Sequence, residues 1–305
     1  MKKVFLSICL MLIALITCAC NDTNVKKEGK INVVTSFYPM YIATANIVDG
    51  VDDIDLTNLT SQQTGCLHDY QITTQDMIKL SNADVLVING DGMENFIAKA
   101  MSTYSRLKIV DASEGIKEHH EEILDSDEEG HHHDHETNSH YWVSISLYIE
   151  QVNNIKNGLC AIDKKNKDLY EKNANDYIHK LKELKQKMHS SLDSISNKNI
   201  VTFHEAFDYF AEEFDLNVVA VIEREPGTYP SSKDVADIIE EVKSKDVNAI
   251  FTEPQYSKTA ADTIARETKV KVYELDPVVT GDLDKEAYIR IMNNNLNTLE
   301  EALKG

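Results

Sequence analysis

Short apolar runs alternate along this chain with segments whose apolar residues recur at helical spacing. Ile31 to Phe37 (INVVTSF) reads as a strand, and the following YPMYIATANIVDG reads as a helix closed by Gly50. IDLTNLT from Ile54 is a second strand. Thr73 followed by Asp76 forms a capping box that opens a helix through MIKLSNA. DVLVINGDG is a buried strand with a glycine-rich exit, and LKIVDAS from Leu107 is another. Strand, helix and strand at this spacing make the parallel βαβ unit. Beyond Trp142 the pattern turns helical, to about Asp163.

From Lys164 to Ile195 there is neither proline nor glycine, and Leu169, Tyr170, Tyr177, Leu181, Leu184 and Met188 recur at helical spacing. One helix of about 30 residues would span roughly 45 Å. The alternative is two shorter helices broken near Asn173 or Asn175. After it the α/β pattern repeats. NIVTFHEAFDYFAEEFDL predicts a strand and then a helix carrying Phe203, Phe207, Phe210 and Phe214. NVVAVIE is a strand, and Ser231 with Asp234 caps a helix. VNAIFTEP is a strand stopped at Pro254, YSKTAADTIARET a helix, and VKVYELDP a strand stopped at Pro277; a last helix starts near Asp284. The fold class is therefore α/β: two lobes with mainly parallel sheets flanked by helices, joined by one long rigid backbone helix. The divisions are 1–20, 21–163 with an inserted loop at 118–139, a linking helix at 164–192, and 193–305.

The first twenty residues carry a basic start, an apolar run and TCAC, and the chain then turns polar. This is read as a signal peptide rather than a membrane span. Cys20, after Ala19, is the expected lipid-bearing residue, with Cys18 the weaker candidate and ordinary secretion the alternative. The expected location is the extracellular face of the cell membrane, or the periplasm in a double-membraned organism. Without Lys2 and Lys3 the balance is 29 basic to 51 acidic residues, a net charge of −22. That argues against nucleic acid as a partner. Beyond the signal region only Cys66 and Cys160 remain, either as two thiols or as one bridge, and no disulfide framework is present.

Chemistry concentrates in histidine. GHHHDHETNSHYW, Gly130 to Trp142, holds five of the eleven histidines. Neutral imidazole is a ligand for first-row metals. Around the run, from Glu118 through His119 and His120 to His140, there is almost no apolar residue after Leu124, which predicts an acidic insertion. Its His131, His132, His133 and His135 either bind further zinc weakly or belong to a solvated loop. His140 differs, because it leads directly into an apolar helix. Three other positions share such a place: His68 before a helix, His204 at the end of IVTF, and Asp276 at the end of KVYEL. Three imidazoles and one carboxylate form a closed tetrahedral shell suited to Zn2+, which favours binding over hydrolysis. Taken singly, each also fits a surface histidine or a turn-capping aspartate. His179 and His189 on the long helix read as surface residues.

The chain resembles the metal-binding lipoproteins of bacterial ATP-binding-cassette (ABC) importers, the cluster A-I family, and within it the zinc branch. The resemblance covers nearly the whole mature chain. It rests on the lipid-attachment start, VVTSFYPMYIATANIVDG, HDYQITTQDMIKLSNADVLVINGDGME, NSHYW before a helix, TFHEAFDYFAEEFDL, EREPGTYPSSKDVADIIEEVKSKDVNAIFTEPQYS and VYELDP. It implies two α/β lobes joined by a long helix, with one metal ion between them delivered to a membrane permease by a non-catalytic, monomeric protein. It implies His68, His140, His204 and Asp276 as ligands. Glutamate is common at the third position in manganese- and iron-binding relatives, so His204 points to zinc. The histidine-rich loop is also a habit of the zinc branch. Leu67 and Ser139 stand where the family often has proline, and Gln71 to Thr74 replace its Glu-Pro-Thr-Pro stretch; these changes loosen loops but leave the ligand positions in place. Gln71 also removes a carboxylate that could support a liganding imidazole. Glu223, Arg224 and Glu225 are expected to shape the cleft, with an ion pair bracing the lobes there.

Three neutral imidazoles imply binding that weakens as the histidines gain protons near pH 6, and a long backbone helix implies a small local change on loading. The alternatives are a manganese- or iron-binding member of the family, an envelope zinc hydrolase or a surface adhesin. For the hydrolase there is no HExxH, only the dipeptide His204-Glu205; for the adhesin there is no repeat or stalk.

Overall fold

The computed structural model describes residues 29–60, 67, 70–116, 138–223 and 229–304. The expected signal segment with Cys20, the ligand candidate His68, Cys66, Arg224 and the loop histidines His131, His132, His133 and His135 lie outside these residues. Among the described residues no helix is long and apolar enough to cross a membrane.

The first lobe runs β1 (Ile31–Thr35), α1 (Tyr38–Ile47), β2 (Ile54–Asn58), α2 (Thr74–Asn82), β3 (Val85–Ile88), α3 (Ala98–Thr103) and β4 (Lys108–Asp111). Two helices follow, α4 (Ile145–Ile162) and α5 (Lys167–Leu192). The second lobe is β5 (Asn199–Thr202), α6 (Asp208–Glu213), β6 (Asn217–Val221), α7 (Ser232–Ser244), β7 (Ala249–Thr252), α8 (Thr259–Thr268) and β8 (Lys271–Glu274), and α9 (Ala287–Lys304) closes the described chain. Each lobe holds a four-stranded sheet with every pair parallel, in the orders β2-β1-β3-β4 and β6-β5-β7-β8. In both, strand order reverses between the first and third strands, so the crevice beyond their carboxyl ends is the natural ligand position.

Local sequence explains most of the elements. Both capping boxes form: Thr73 Oγ1 and Ser231 Oγ each accept from the backbone N–H three residues on, and the Asp76 and Asp234 carboxylates accept in return. β3 is buried along its whole length, as a strand covered on both faces must be. The long helix is α5, whose 26 residues span about 39 Å. It begins at Lys167 rather than Lys164, because the Asp163 carboxylate ends α4 and accepts from Asn166 Nδ2 (2.7 Å) and the Tyr170 hydroxyl (2.8 Å). The helix continues through Asn173, whose amide does not compete with the helix backbone. Its Nδ2 donates outward to the carbonyls of Ile47 (3.0 Å) and Asp49 (2.8 Å).

One expectation fails in detail. Phe203 is not on a helix with Phe207, Phe210 and Phe214. The chain leaves β5 extended through His204 (φ −134°, ψ 179°), and a 3-10 turn intervenes before α6. Phe203 therefore stacks on Tyr256 in the outer core of the second lobe, while the other three enter the central core. His189 is also less exposed than expected, since its ring packs on Phe214 at 4.8 Å. Cys160 carries a free thiol.

The largest apolar cluster belongs to both lobes. α5 packs against α4, α1 and α9, and buried residues from Val33 and Val87 through Tyr177 and Leu181 to Phe251 and Leu275 form one continuous core. Tyr148 and Tyr288 stack at 4.0 Å within it. Hydrogen bonds also cross between the lobes: the Tyr38 hydroxyl donates to Asp282 O (2.7 Å) and Asn46 Nδ2 to Lys285 O (2.7 Å). A core shared in this way resists wide hinge motion, because packed interiors do not deform continuously.

Candidate metal centre

His204 stands two residues beyond β5, and Glu253 stands one residue beyond β7. The register pairs Val201 with Ile250, so these two strands, running side by side, deliver both side chains to the same crevice. The His204 ring Nδ1 lies against Glu253 Oε1 in a short contact, and both residues are almost wholly buried. A carboxylate accepting from Nδ1–H fixes the tautomer and leaves the coordinating role to Nε2, the arrangement that supports a metal-bound histidine. Tyr256 covers the ring edge-on at 5.6 Å.

His140 arrives from the other side, on the loop that enters α4. Two residues after β3, Asn89 and Asp91, hold that loop. Asn89 Nδ2 donates to Ser139 O (2.8 Å), Ser139 Oγ donates to Asp91 O (2.6 Å), and the Tyr141 hydroxyl donates to Asp91 Oδ2 (2.7 Å). Beneath them the buried Glu94 carboxylate accepts from the backbone N–H groups of Asn89 (2.7 Å) and Gly90 (3.0 Å). Burial is the main reason its pKa is pushed up to about 7. Gly90 has φ +91°, and a Cβ there would collide with the Asp111 and Ser113 side chains, so this turn needs glycine. Asn138 completes the setting of His140: its Oδ1 accepts from the His140 backbone N–H (3.1 Å) and pairs with ring Nδ1 (2.7 Å).

The two histidines meet across the lobes. Their ring centroids are 5.2 Å apart with planes at 76°, and both rings are buried. Trp142 packs 5.1 Å from His140, and its indole N–H donates to Pro277 O (2.7 Å), which brings the loop after β8 to the same seam. Asp276 heads that loop. Its Oδ1 accepts from Val278 N (2.8 Å), and Asn295 holds its backbone through both N–H and carbonyl. Burial raises its carboxyl pKa to about 6. Among the described residues no three His, Cys, Asp or Glu side chains form a group that could hold a metal ion. His140 and His204 are thus brought together, Asp276 stands in a neighbouring loop outside any such group, and His68 lies outside the described residues.

Sequence reasoning missed Glu253 and Asn138. In IFTEP the glutamate read only as a strand end before proline, and in ETNSH the asparagine read only as loop. It also passed over Asp208, whose carboxyl pKa is pushed up to about 6 mainly by burial and partly by Glu205, against the favourable bond from Asn138 and the favourable field of His204.

Residues 33–302 match the family model for the zinc-uptake complex component A, periplasmic (ZnuA). The high-affinity zinc uptake system protein ZnuA of Bacillus subtilis is 32% identical over 316 residues, with 97% of this chain and 95% of the relative covered. The zinc-binding lipoprotein AdcA of Streptococcus pneumoniae is 31% identical over 312 residues, but this chain, 99% covered, spans only 61% of that relative's length. Among solved structures, the SBP FpvC of Pseudomonas aeruginosa in complex with Mn2+ superposes with a TM-score of 0.78 at 28% identity, covering 90% of this chain and 98% of FpvC. With two parallel sheets about a long helix and paired histidines between them, the chain belongs to the ZnuA family of cluster A-I solute-binding proteins.

Proposed function

We propose that the chain captures Zn2+ between its lobes and hands it to the membrane permease of an ABC importer. The observation that carries this is the His140–His204 pair: two buried imidazoles from opposite lobes, each with Nδ1 against a side-chain oxygen. Two imidazoles sharing one tetrahedral ion at a Zn–N distance of about 2.0–2.1 Å have centroids about 5 Å apart, and the observed separation is 5.2 Å. On this reading His68 and Asp276 complete the shell, and the shared core limits loading to a small local change.

The rest follows the family. The protein is a monomer held by lipid at Cys20 on the outer face of the membrane, with a signal at 1–20, lobes at 21–163 and 193–305, and the linking helix at 164–192. The loop histidines His131, His132, His133 and His135 are auxiliary, weak metal donors. The second reading, a manganese binder, has the likeness to FpvC in its favour; a nitrogen-rich pair at the cleft weighs against it.

Metal analysis of purified protein tests the assignment. Zinc near one equivalent, lost in His204→Ala and in His140→Ala with the fold retained, is the expected result. Tight zinc kept by both variants would sink the site, and a preference for manganese in competition would move the protein to the other branch.

A further inference from the structure

Asn138 joins the His140 ring to the second lobe. Its Oδ1 faces the backbone N–H (3.1 Å) and ring Nδ1 (2.7 Å) of His140. Its Nδ2 donates to the second lobe twice, to Glu205 O (2.9 Å) and to Asp208 Oδ2 (3.0 Å). Its own carbonyl accepts from the Tyr209 hydroxyl (2.8 Å), and Tyr209 in turn packs on Tyr141 at 5.0 Å. Glu205, Asp208 and Tyr209 directly follow His204, so the contacts run from one histidine's ring to the segment that carries the other.

We propose that Asn138 is a positioning residue that makes the orientation of His140 depend on contact between the lobes. This rests on the reading of His140 and His204 as zinc ligands. One amide serves both purposes. While the seam is closed, Nδ2 is anchored on the second lobe, which points Oδ1 at the imidazole, holds the Nδ1–H tautomer and presents Nε2 to the ion. Parting the lobes at this seam breaks the Nδ2 and Tyr209 bonds, and Oδ1 loses its aim. His140 then becomes the ligand that lets go, while His204 stays braced by Glu253 within its own lobe. Release needs no wide hinge, only separation at one residue. A docking partner that pulls on the α6 end of the second lobe would therefore discharge the metal through His140.

The test uses the full chain, with two readouts: the rate of zinc release to excess chelator, and the ring-nitrogen NMR signature of His140 in zinc-free protein. Asn138→Ala should speed release about 10–100-fold, the range typical for supports of a metal ligand, and should lose the single-tautomer signature. Asn138→Asp keeps an acceptor for Nδ1 but loses the donor that aims it, so it should weaken the signature less than Asn138→Ala does and still release zinc about tenfold faster. Combining it with Asp208→Asn returns a donor across the seam and should recover part of that loss. Wild-type release from Asn138→Ala, when His140→Ala abolishes binding, would overturn the proposal and leave the site intact. Unchanged release from Asn138→Asp would remove the coupling between lobes. Zinc retained by His140→Ala would instead defeat the underlying site assignment.

Discussion

The two lobes share a topology and use it differently. Their sheets have the same strand order and the same parallel register between first and third strands, Thr35 with Val87 in one and Val201 with Ile250 in the other. Two residues past the first strand stands Phe37 in the first lobe and His204 in the second. One residue past the third strand stands Asn89 in the first and Glu253 in the second. In the second lobe these two positions hold a histidine and the carboxylate that fixes it. In the first lobe they hold a loop: Phe37 packs edge-on against Trp142 at 4.9 Å, and Asn89 grips Ser139 O. The second lobe presents its histidine from a strand end, the first from a loop that its crevice only supports. A side chain on a strand end is fixed by backbone register, whereas one on a loop is fixed only as well as its side-chain clamps.

The largest effect that could break this comparison is His204→Ala. It should abolish stoichiometric zinc with an unchanged far-ultraviolet circular dichroism spectrum, and retained zinc would show that the second lobe is not the fixed half. Next is Glu253→Gln, expected to weaken zinc about 10–100-fold in competition titrations. Asn89→Ala acts further from the ion. It should cost about 1–3 kcal/mol in chemical denaturation, since it removes the buried amide that donates to Ser139 O and accepts from Gln151 Nε2, and should weaken zinc less than Glu253→Gln does. The reverse order would mean that the first lobe's clamp governs affinity.

A last effect, on stability rather than on zinc, is a pH signature of Glu94 in the first lobe. The Glu94 pKa is raised from 4.5 to about 7 by burial, so its contribution to stability is fully present below about pH 4.5 and is lost as pH rises through 7. The full shift corresponds to roughly 3 kcal/mol. Glu94→Gln should flatten this part of the stability–pH curve, measured as the difference from wild type. Equal slopes in the two proteins would show that Glu94 does not titrate there.

Much of the fold was legible because it follows local rules. The βα alternation, the two capping boxes and the apolar stripe of α5 each depend on residues within a few positions of one another, and each appears where the pattern put it. The failure at Phe203 is instructive, because its spacing to Phe207 suits a helix. The extended backbone at His204 interrupts the helical period, and the four phenylalanines divide between two cores.

The site was legible only in part. His140 and His204 stood out as histidines at the edges of ordered segments, and the resemblance to metal-binding lipoproteins grouped them. Glu253 and Asn138 carried no comparable signal. A glutamate before proline and an asparagine in a polar run are ordinary in sequence, and each gains meaning from a neighbour that the fold supplies.

The amino-acid sequence by itself determined the α/β class, the long helix and the identity of residues able to bind a metal, because propensity, periodicity and donor chemistry belong to single residues and short windows. Only the tertiary structure decided which of them meet. His204 and Glu253 are 49 residues apart and touch because β5 and β7 run side by side. His140 and His204 face each other because a shared core and the Asn138 bridge hold two separate sheets to one seam.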